Sequence, residues 1–226
     1  MTNKVSQLVI FDCDGVLVDS EAISARVATE CLNEYGFVIS MDEVMRRFTG
    51  ISDKTMRQLL FAETGRELPS DFDAFFVKRT NEALTQELQA TPHIAEILSS
   101  LPEKCVASSG VPEKIANSLR VTDLRRFFNE DRIFSATMVS QGKPAPDLFL
   151  HAARMVGFSP KECVVIEDSV AGTQAGCAAG MTVLGFTGGS HCDASHTAIL
   201  RDAGAAMVFS DMRDLPRMLA LKQEAA

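Results

Sequence analysis

The sequence predicts an α/β protein, a doubly wound parallel sheet carrying an inserted α-helical domain. Two observations predict it. Short apolar runs alternate with helix-like segments through most of the chain, and one long stretch near the start breaks that alternation with helical patterns alone. The runs Leu8 to Phe11, Cys105 to Ala107, Arg132 to Ser135, Cys163 to Ile166, Thr182 to Phe186 and Met207 to Phe209 are strand-sized and read as buried strands. Between them, Pro112 to Leu119 puts a proline in a first helical turn, and Pro146 to Val156 repeats Phe149, Ala152, Ala153 and Val156 at helical spacing before stopping at Gly157.

The stretch from Ser20 to Leu88 holds no convincing strand. Ser20 to Tyr35 carries Ile23, Val27 and Cys31 on one face and ends at Gly36; Ser40 and Glu43 form a capping-box pattern that opens a second helix. Ser52 is a candidate third cap, ahead of Met56, Leu59 and Leu60, and Asp71 to Leu88 offers Phe72, Phe75, Phe76, Ala83 and Leu84 for packing. The sum is a four-helix cap. The expected organisation is a Rossmann-like core of residues 1–17 and 89–226 with a helical cap domain at 18–88. Gly172, Gly176 and Gly180 recur every four residues in a helix-like segment. At a cost of about 1 kcal/mol each relative to alanine, they point to close helix-to-sheet approach, or to a C-cap at Gly180.

With 226 residues, 46% of them apolar and 23% charged, the composition is that of a globular chain. A net charge of −8 argues against nucleic acid or an anionic membrane as a partner, since their phosphates repel such a surface. The apolar runs are too short to span a bilayer, and the start MTNKVSQ has no apolar export segment, so a cytoplasmic protein is expected. The 6 cysteines are widely scattered, with no C-x-x-C pair, and read as buried reduced thiols. His191, Cys192 and His196 lie close together after Gly188-Gly189-Ser190, a stretch that reads as a surface loop leading into a helix, with a metal site as the lesser alternative.

The chemistry concentrates at strand ends. Phe11-Asp12-Cys13-Asp14-Gly15 closes an apolar strand with two carboxylates, where an open α/β sheet forms its ligand crevice. Such a pair repels unless a hard cation or a shared proton intervenes; the bland alternative is that Asp14-Gly15 merely caps the strand with a turn. Glu167-Asp168 repeats the arrangement after Cys163 to Ile166, and two such pairs suggest a shared Mg²⁺ site. Lys143, stiffened by Pro144 and Pro146, supplies a cation before a helix, and Ser108-Ser109-Gly110 offers hydroxyl and backbone donors at another strand end.

The ordered set D-x-D-G-V-L-V-D-S-E at Asp12 to Glu21, Ser108 after a strand, K-P-A-P-D-x-F at Lys143 to Phe149, and E-D-S-x-A-G at Glu167 to Gly172 resembles the haloacid dehalogenase-like phosphatases. The inserted helical stretch resembles the cap of the branch with β-phosphoglucomutase, phosphoglycolate phosphatase and 6-phosphogluconate phosphatase. The resemblance implies a Mg²⁺-dependent phosphatase acting, as a monomer, on a small-molecule phosphomonoester such as a sugar phosphate or phosphorylated sugar acid. It implies Asp12 as the nucleophile that becomes an aspartyl-phosphate and Asp14 as the acid and base. Ser108, Ser109 and Lys143 would bind phosphate. Asp12, the Asp14 carbonyl, Glu167 and Asp168 would bind the metal, and Gly50 and Lys54 in the cap would act in specificity. Arg57, Lys78 and Arg79 of the cap read as substrate cations or as surface charges. Asp14 argues against dehalogenation, since true dehalogenases of the family lack it. Ala22-Ile23-Ser24-Ala25 stands where the mutases carry a cap histidine, which favours hydrolysis over phosphomutase chemistry. A non-catalytic phosphometabolite sensor is the alternative from another class.

Overall fold

The computed structural model describes residues 7–48 and 53–224. The strands β1 (Leu8–Phe11), β2 (Lys104–Ser108), β3 (Ile133–Ser135), β4 (Cys163–Glu167), β5 (Thr182–Phe186) and β6 (Met207–Phe209) form one 6-stranded sheet in the order β3-β2-β1-β4-β5-β6, every pair parallel. All four residues of β1 and all five of β4 are buried, and residues 8–11 and 163–166 are the continuous apolar runs that a strand covered on both faces requires. The helices that flank the sheet are α5 (Ile94–Ser100), α6 (Pro112–Val121), α7 (Asp147–Val156), α8 (Val170–Ala178), α9 (His196–Asp202) and α10 (Leu215–Glu224), here numbered after the four of the inserted stretch.

The strand order runs outward from β1 to β3, then returns to the other side of β1 with β4. That reversal makes the carboxyl ends of β1 and β4 the switch point of a doubly wound sheet, where helices on opposite faces diverge and leave a crevice. Register fixes what stands there: Phe11 pairs with Ile166, and the Asp12 N–H donates to the Ile166 carbonyl at 3.0 Å. Asp12 and the pair Glu167-Asp168 are therefore side by side.

The chain divides into two compact units, one built from residues up to Asp19 and from Gln89 onward, the other from Ser20–Leu88. The second unit contains α1 (Glu21–Glu34), α2 (Met41–Phe48), α3 (Asp53–Thr64) and α4 (Phe72–Glu87) around a core that includes Val27, Cys31, Leu32, Phe48, Met56, Leu60 and Phe72. Leu59, expected to pack, is 40% exposed; its neighbour Leu60 takes the inward position. Ser40 Oγ accepts from the Glu43 N–H at 3.2 Å, but the Glu43 carboxylate turns to Arg47 at 3.2 Å instead of returning to the cap backbone. Ser52 and Gly50 lie outside the described residues, as does the side chain of Lys54. Arg57 is ion-paired with Asp73 at 2.7 Å and Arg79 with Glu30 and Glu34 at 3.3 and 3.2 Å, so both knit helices within this unit; Lys78 is a surface charge near Glu82.

Both readings of the glycine stripe hold, at different positions. A Cβ on Gly176 would lie 2.6 Å from Val183 Cγ2, so α8 presses on the sheet there, whereas Gly180 adopts φ +72° just past the helix end. All cysteines are free; Cys177 is exposed and Cys192 half-buried, unlike the buried Cys13, Cys31, Cys105 and Cys163. Among the described residues, no helix is long and apolar enough to cross a membrane.

Candidate active site

The site grows from the ends of β1 and β4. Asp12 is buried, and the next residues leave the strand through a tight turn in which the Leu17 and Val18 N–H groups both donate to the Cys13 carbonyl at 3.0 and 3.1 Å. Gly15 makes the turn at φ +79°, and a Cβ there would fall 1.9 Å from Asp168 Oδ2, so glycine is needed both for the backbone and for space. The turn redirects Asp14, whose carboxylate meets Lys114 Nζ of α6 at 3.0 Å.

Lys143 has the side-chain burial of a core residue, 4% exposed, although a loop lysine is ordinarily at the surface. Its ammonium donates to Asp12 Oδ1 at 2.6 Å, Glu167 Oε1 at 2.6 Å and the Ala107 carbonyl at 3.0 Å, which uses all three of its hydrogens. It also stands 4.9 Å from the Phe149 ring centroid. Burial alone would lower its pKa, but Asp12 and Glu167 outweigh that and hold it above the usual lysine range.

Glu167 is fully engaged. Its Oε2 accepts from the Asp168 and Ser169 N–H groups, both at 3.0 Å, and from Ser169 Oγ at 2.9 Å, while Oε1 holds Lys143. Asp168 Oδ2 lies 3.0 Å from His191 Nε2, and the Asp168 carbonyl accepts from His196 Nε2 at 2.6 Å. Ser108 is buried at the end of β2, its Oγ accepting from the Gly110 N–H at 3.1 Å, and Ser109 is exposed beside it.

One carboxylate oxygen from each of Asp12, Glu167 and Asp168 lies within 4.8 Å of the others. Burial first, then the neighbouring carboxylates, pushes Asp12 well above its ordinary pKa, and burial with Glu167 likewise raises Asp168. Lys143 supplies one positive charge. His191 supplies a second when protonated, since Asp168 and Cys192 overcome the effect of burial and push its pKa up to about 10. With all three carboxylates ionised at least one charge stays uncompensated, and an oxygen-lined cluster of this kind suits a hard divalent cation, whose charge would favour the ionised forms.

Residues 9–186 match the family model described as haloacid dehalogenase-like hydrolase. The chain belongs to this family. It is 34% identical to 6-phosphogluconate phosphatase of Escherichia coli (strain K12), with 82% of this chain and 84% of that protein aligned. Among solved structures, a conserved haloacid dehalogenase-like protein of Agrobacterium tumefaciens superposes with a TM-score of 0.87 at 38% identity, covering 96% of this chain and 99% of that one. A haloacid dehalogenase family hydrolase of Deinococcus radiodurans, solved with bound phosphate and sodium, gives a TM-score of 0.80 at 35% identity over 98% of both chains.

This haloacid dehalogenase-like hydrolase is a phosphoric monoester hydrolase. Its structure brings Asp12, Lys143, Glu167 and Asp168 into one cluster, with Asp14 in the adjoining turn. Sequence reasoning missed Lys114, and it read His191 as part of a surface loop or a lesser metal site without placing it against Asp168. Lys114 carries a usable signal: a helix that starts just past a strand's carboxyl end aims its first turn at the crevice, so a polar residue there is a candidate. The contact of His191 with Asp168 carries no such signal, because it depends on how a distant loop is laid down.

Gly172 has a role in this hydrolase that the sequence reading confined to packing. A Cβ there would sit 1.8 Å from Glu167 Oε1, so the glycine makes the space in which Glu167 holds Lys143. Gly172→Ala gains about 1 kcal/mol in helix propensity, yet the clash is expected to leave the variant about 1–3 kcal/mol less stable and poorly active. Urea melts and phosphate-release rates check this; a more stable, fully active variant would show that Glu167 has another place to go.

Proposed function

We propose that the chain hydrolyses a small phosphorylated sugar or sugar acid, with Asp12 as nucleophile and Mg²⁺ as the metal. The observation that carries the reading is the contact of 2.6 Å between a buried ammonium, Lys143, and a buried carboxylate, Asp12, at the switch point of the sheet. A carboxylate beside a fixed cation can attack phosphorus while the cation receives phosphate oxygens. The similarity to 6-phosphogluconate phosphatase supports the substrate class, and the Deinococcus radiodurans hydrolase, solved with bound phosphate and sodium, is a similar protein that binds both an anion and a cation.

An Asp12 oxygen forms the bond to phosphorus, and the bond from phosphorus to the sugar oxygen breaks as Asp14 gives that oxygen a proton. Asp14 then takes a proton from water, whose oxygen attacks phosphorus and releases Asp12 and inorganic phosphate. Lys114 positions the Asp14 carboxylate at 3.0 Å. Lys143 lends its charge to the phosphoryl oxygens, its hydrogen on Asp12 Oδ1 turning to them once that carboxylate binds phosphorus, and Ser108 and Ser109 add donors. Asp12, Asp168 and the Asp14 carbonyl would hold Mg²⁺, and the bound ion would neutralise phosphate charge. Glu167, with both oxygens occupied, anchors Lys143. The helical unit, through Gly50 and Lys54, selects the sugar.

A panel of phosphorylated sugars and sugar acids tests the reading, with free phosphate measured with and without chelator and the products followed by phosphorus NMR. Phosphate release that depends on Mg²⁺ is the expected result. Isomerised hexose phosphate without free phosphate would make the chain a mutase, and binding without turnover a sensor.

A further inference from the structure

Beside the carboxylates, a second group of side chains converges that the hydrolytic reading does not use. A ring nitrogen of His191, Cys192 Sγ and a ring nitrogen of His196 lie within 4.8 Å of one another. The two imidazoles stand edge to face with centroids 5.6 Å apart. His191 is 4% exposed at its side chain, and its Nδ1 is buried without a hydrogen-bond partner.

The loop that carries them is pinned from both sides. The Thr187 N–H donates to the Phe209 carbonyl at 2.8 Å, and a Cβ on Gly188 would meet the Ser210 carbonyl at 2.3 Å, so the backbone passes close to the strand end there. The Ser190 N–H and Oγ both donate to Asp19 Oδ1, at 3.1 and 2.9 Å. Asp193 Oδ1 then accepts from the Ser195 N–H and Oγ at 2.8 and 2.6 Å, which fixes the entry to α9. Between these anchors the three side chains are held in place by the fold, as a preorganised site requires.

The convergence of donor atoms is the telling feature. His191 Nε2 lies 3.3 Å from Cys192 Sγ and 3.0 Å from Asp168 Oδ2. A cation seated among the two rings and the sulfur would take the Nε2 lone pair. His196 is arranged as metal-binding imidazoles usually are: Nε2 must bear a hydrogen, because it meets the Asp168 carbonyl at 2.6 Å and a carbonyl only accepts. That leaves the Nδ1 lone pair as the coordinating atom and supplies the outer hydrogen bond that fixes the ring. Two imidazoles and a thiol favour borderline or soft ions over Mg²⁺, which takes oxygen.

We propose that His191, Cys192 and His196 form a binding site for a divalent transition metal of the Zn²⁺ class, next to Asp168. Cys192 binds as the thiolate and its proton passes to water. The site stands apart from the hydrolytic reading. Only one consequence rests on that reading: an ion here takes His191 away from Asp168, a carboxylate that Mg²⁺ needs.

Cobalt titration of the full chain, in excess Mg²⁺ and without substrate, tests the site. Co²⁺ bound to a thiolate gives a charge-transfer band in the near ultraviolet, whereas Co²⁺ on carboxylates alone gives none. One Co²⁺ per chain with this band, bleached by Zn²⁺, is expected. Cys192→Ala should abolish the band and weaken Co²⁺ binding at least ~10-fold, the scale on which even outer-shell partners matter. His196→Gln should weaken binding similarly while the protein keeps its circular dichroism, and Cys177→Ala, at the exposed thiol, should change nothing. Saturation without the band, or a band that survives in Cys192→Ala, would overturn the proposal and leave the cluster as a hydrogen-bonded support for Asp168. Failure of hydrolysis would not touch this outcome, since no turnover is read.

Discussion

Asp12→Asn is expected to lower phosphate release by at least about 10³-fold while leaving the metal-free protein no less stable than the original. An amide is too poor a nucleophile to replace the attacking carboxylate, so the first half of the reaction is lost. The stability half follows from electrostatics. Asp12 is buried with Glu167 and Asp168, and the environment raises its pKa by burial and by repulsion from those two carboxylates, against the attraction of Lys143. Asn keeps the shape and one carbonyl oxygen for the Lys143 ammonium, which now stands 2.6 Å from Asp12 Oδ1, and removes one of the mutually repelling charges. The same loss of charge should shrink the rise in melting temperature that Mg²⁺ produces, because less cation binding is linked to the folded state. Rates of phosphate release and thermal melts with and without Mg²⁺ check both halves. Retained activity would move the nucleophile elsewhere. A large loss of stability without metal would mean that the ion pair with Lys143 outweighs the repulsion.

The sheet was legible because its signals are local. Leu8 to Phe11 and Cys163 to Ile166 are apolar without alternation, and only a strand buried on both faces uses such runs, so β1 and β4 begin where expected and β4 runs one residue further, to Glu167. The carboxylates at their ends were equally visible. What the sequence hid depends on contacts between distant segments. Asp12 and Lys143 are 131 residues apart, and nothing near Lys143 announces that its ammonium will be buried among three oxygens. Asp14 and Lys114, 100 residues apart, meet only because the turn at Gly15 redirects the carboxylate. The loop at His191 reads as polar surface until Gly15 and Gly189 let its imidazole approach Asp168. Glycine positions are the common element: Gly15 and Gly172 looked like a turn and a packing ridge, and each makes room for a carboxylate of the cluster.

Lys143→Met should be the most damaging single change in stability, by about 3–5 kcal/mol, with activity reduced at least about 10²-fold. Removing the ammonium strands Asp12 and Glu167, both buried, without their shared partner, and leaves the Ala107 carbonyl without this donor. Lys143→Arg should not restore the site. A planar guanidinium cannot take the place of a compact ammonium that meets three acceptors at 2.6, 2.6 and 3.0 Å under the Phe149 ring. The informative variant is the pair Lys143→Met with Glu167→Gln. Neutralising Glu167 takes away a stranded charge while its amide can still receive the Asp168 and Ser169 N–H groups at Oε, so stability should partly return. Activity should stay lost, because no cation remains to meet the phosphoryl oxygens. Urea melts of the single and double variants, alongside phosphate-release rates, separate the two effects: recovery of both together would make Lys143 a structural counter-ion, and recovery of stability alone assigns it to the reaction as well.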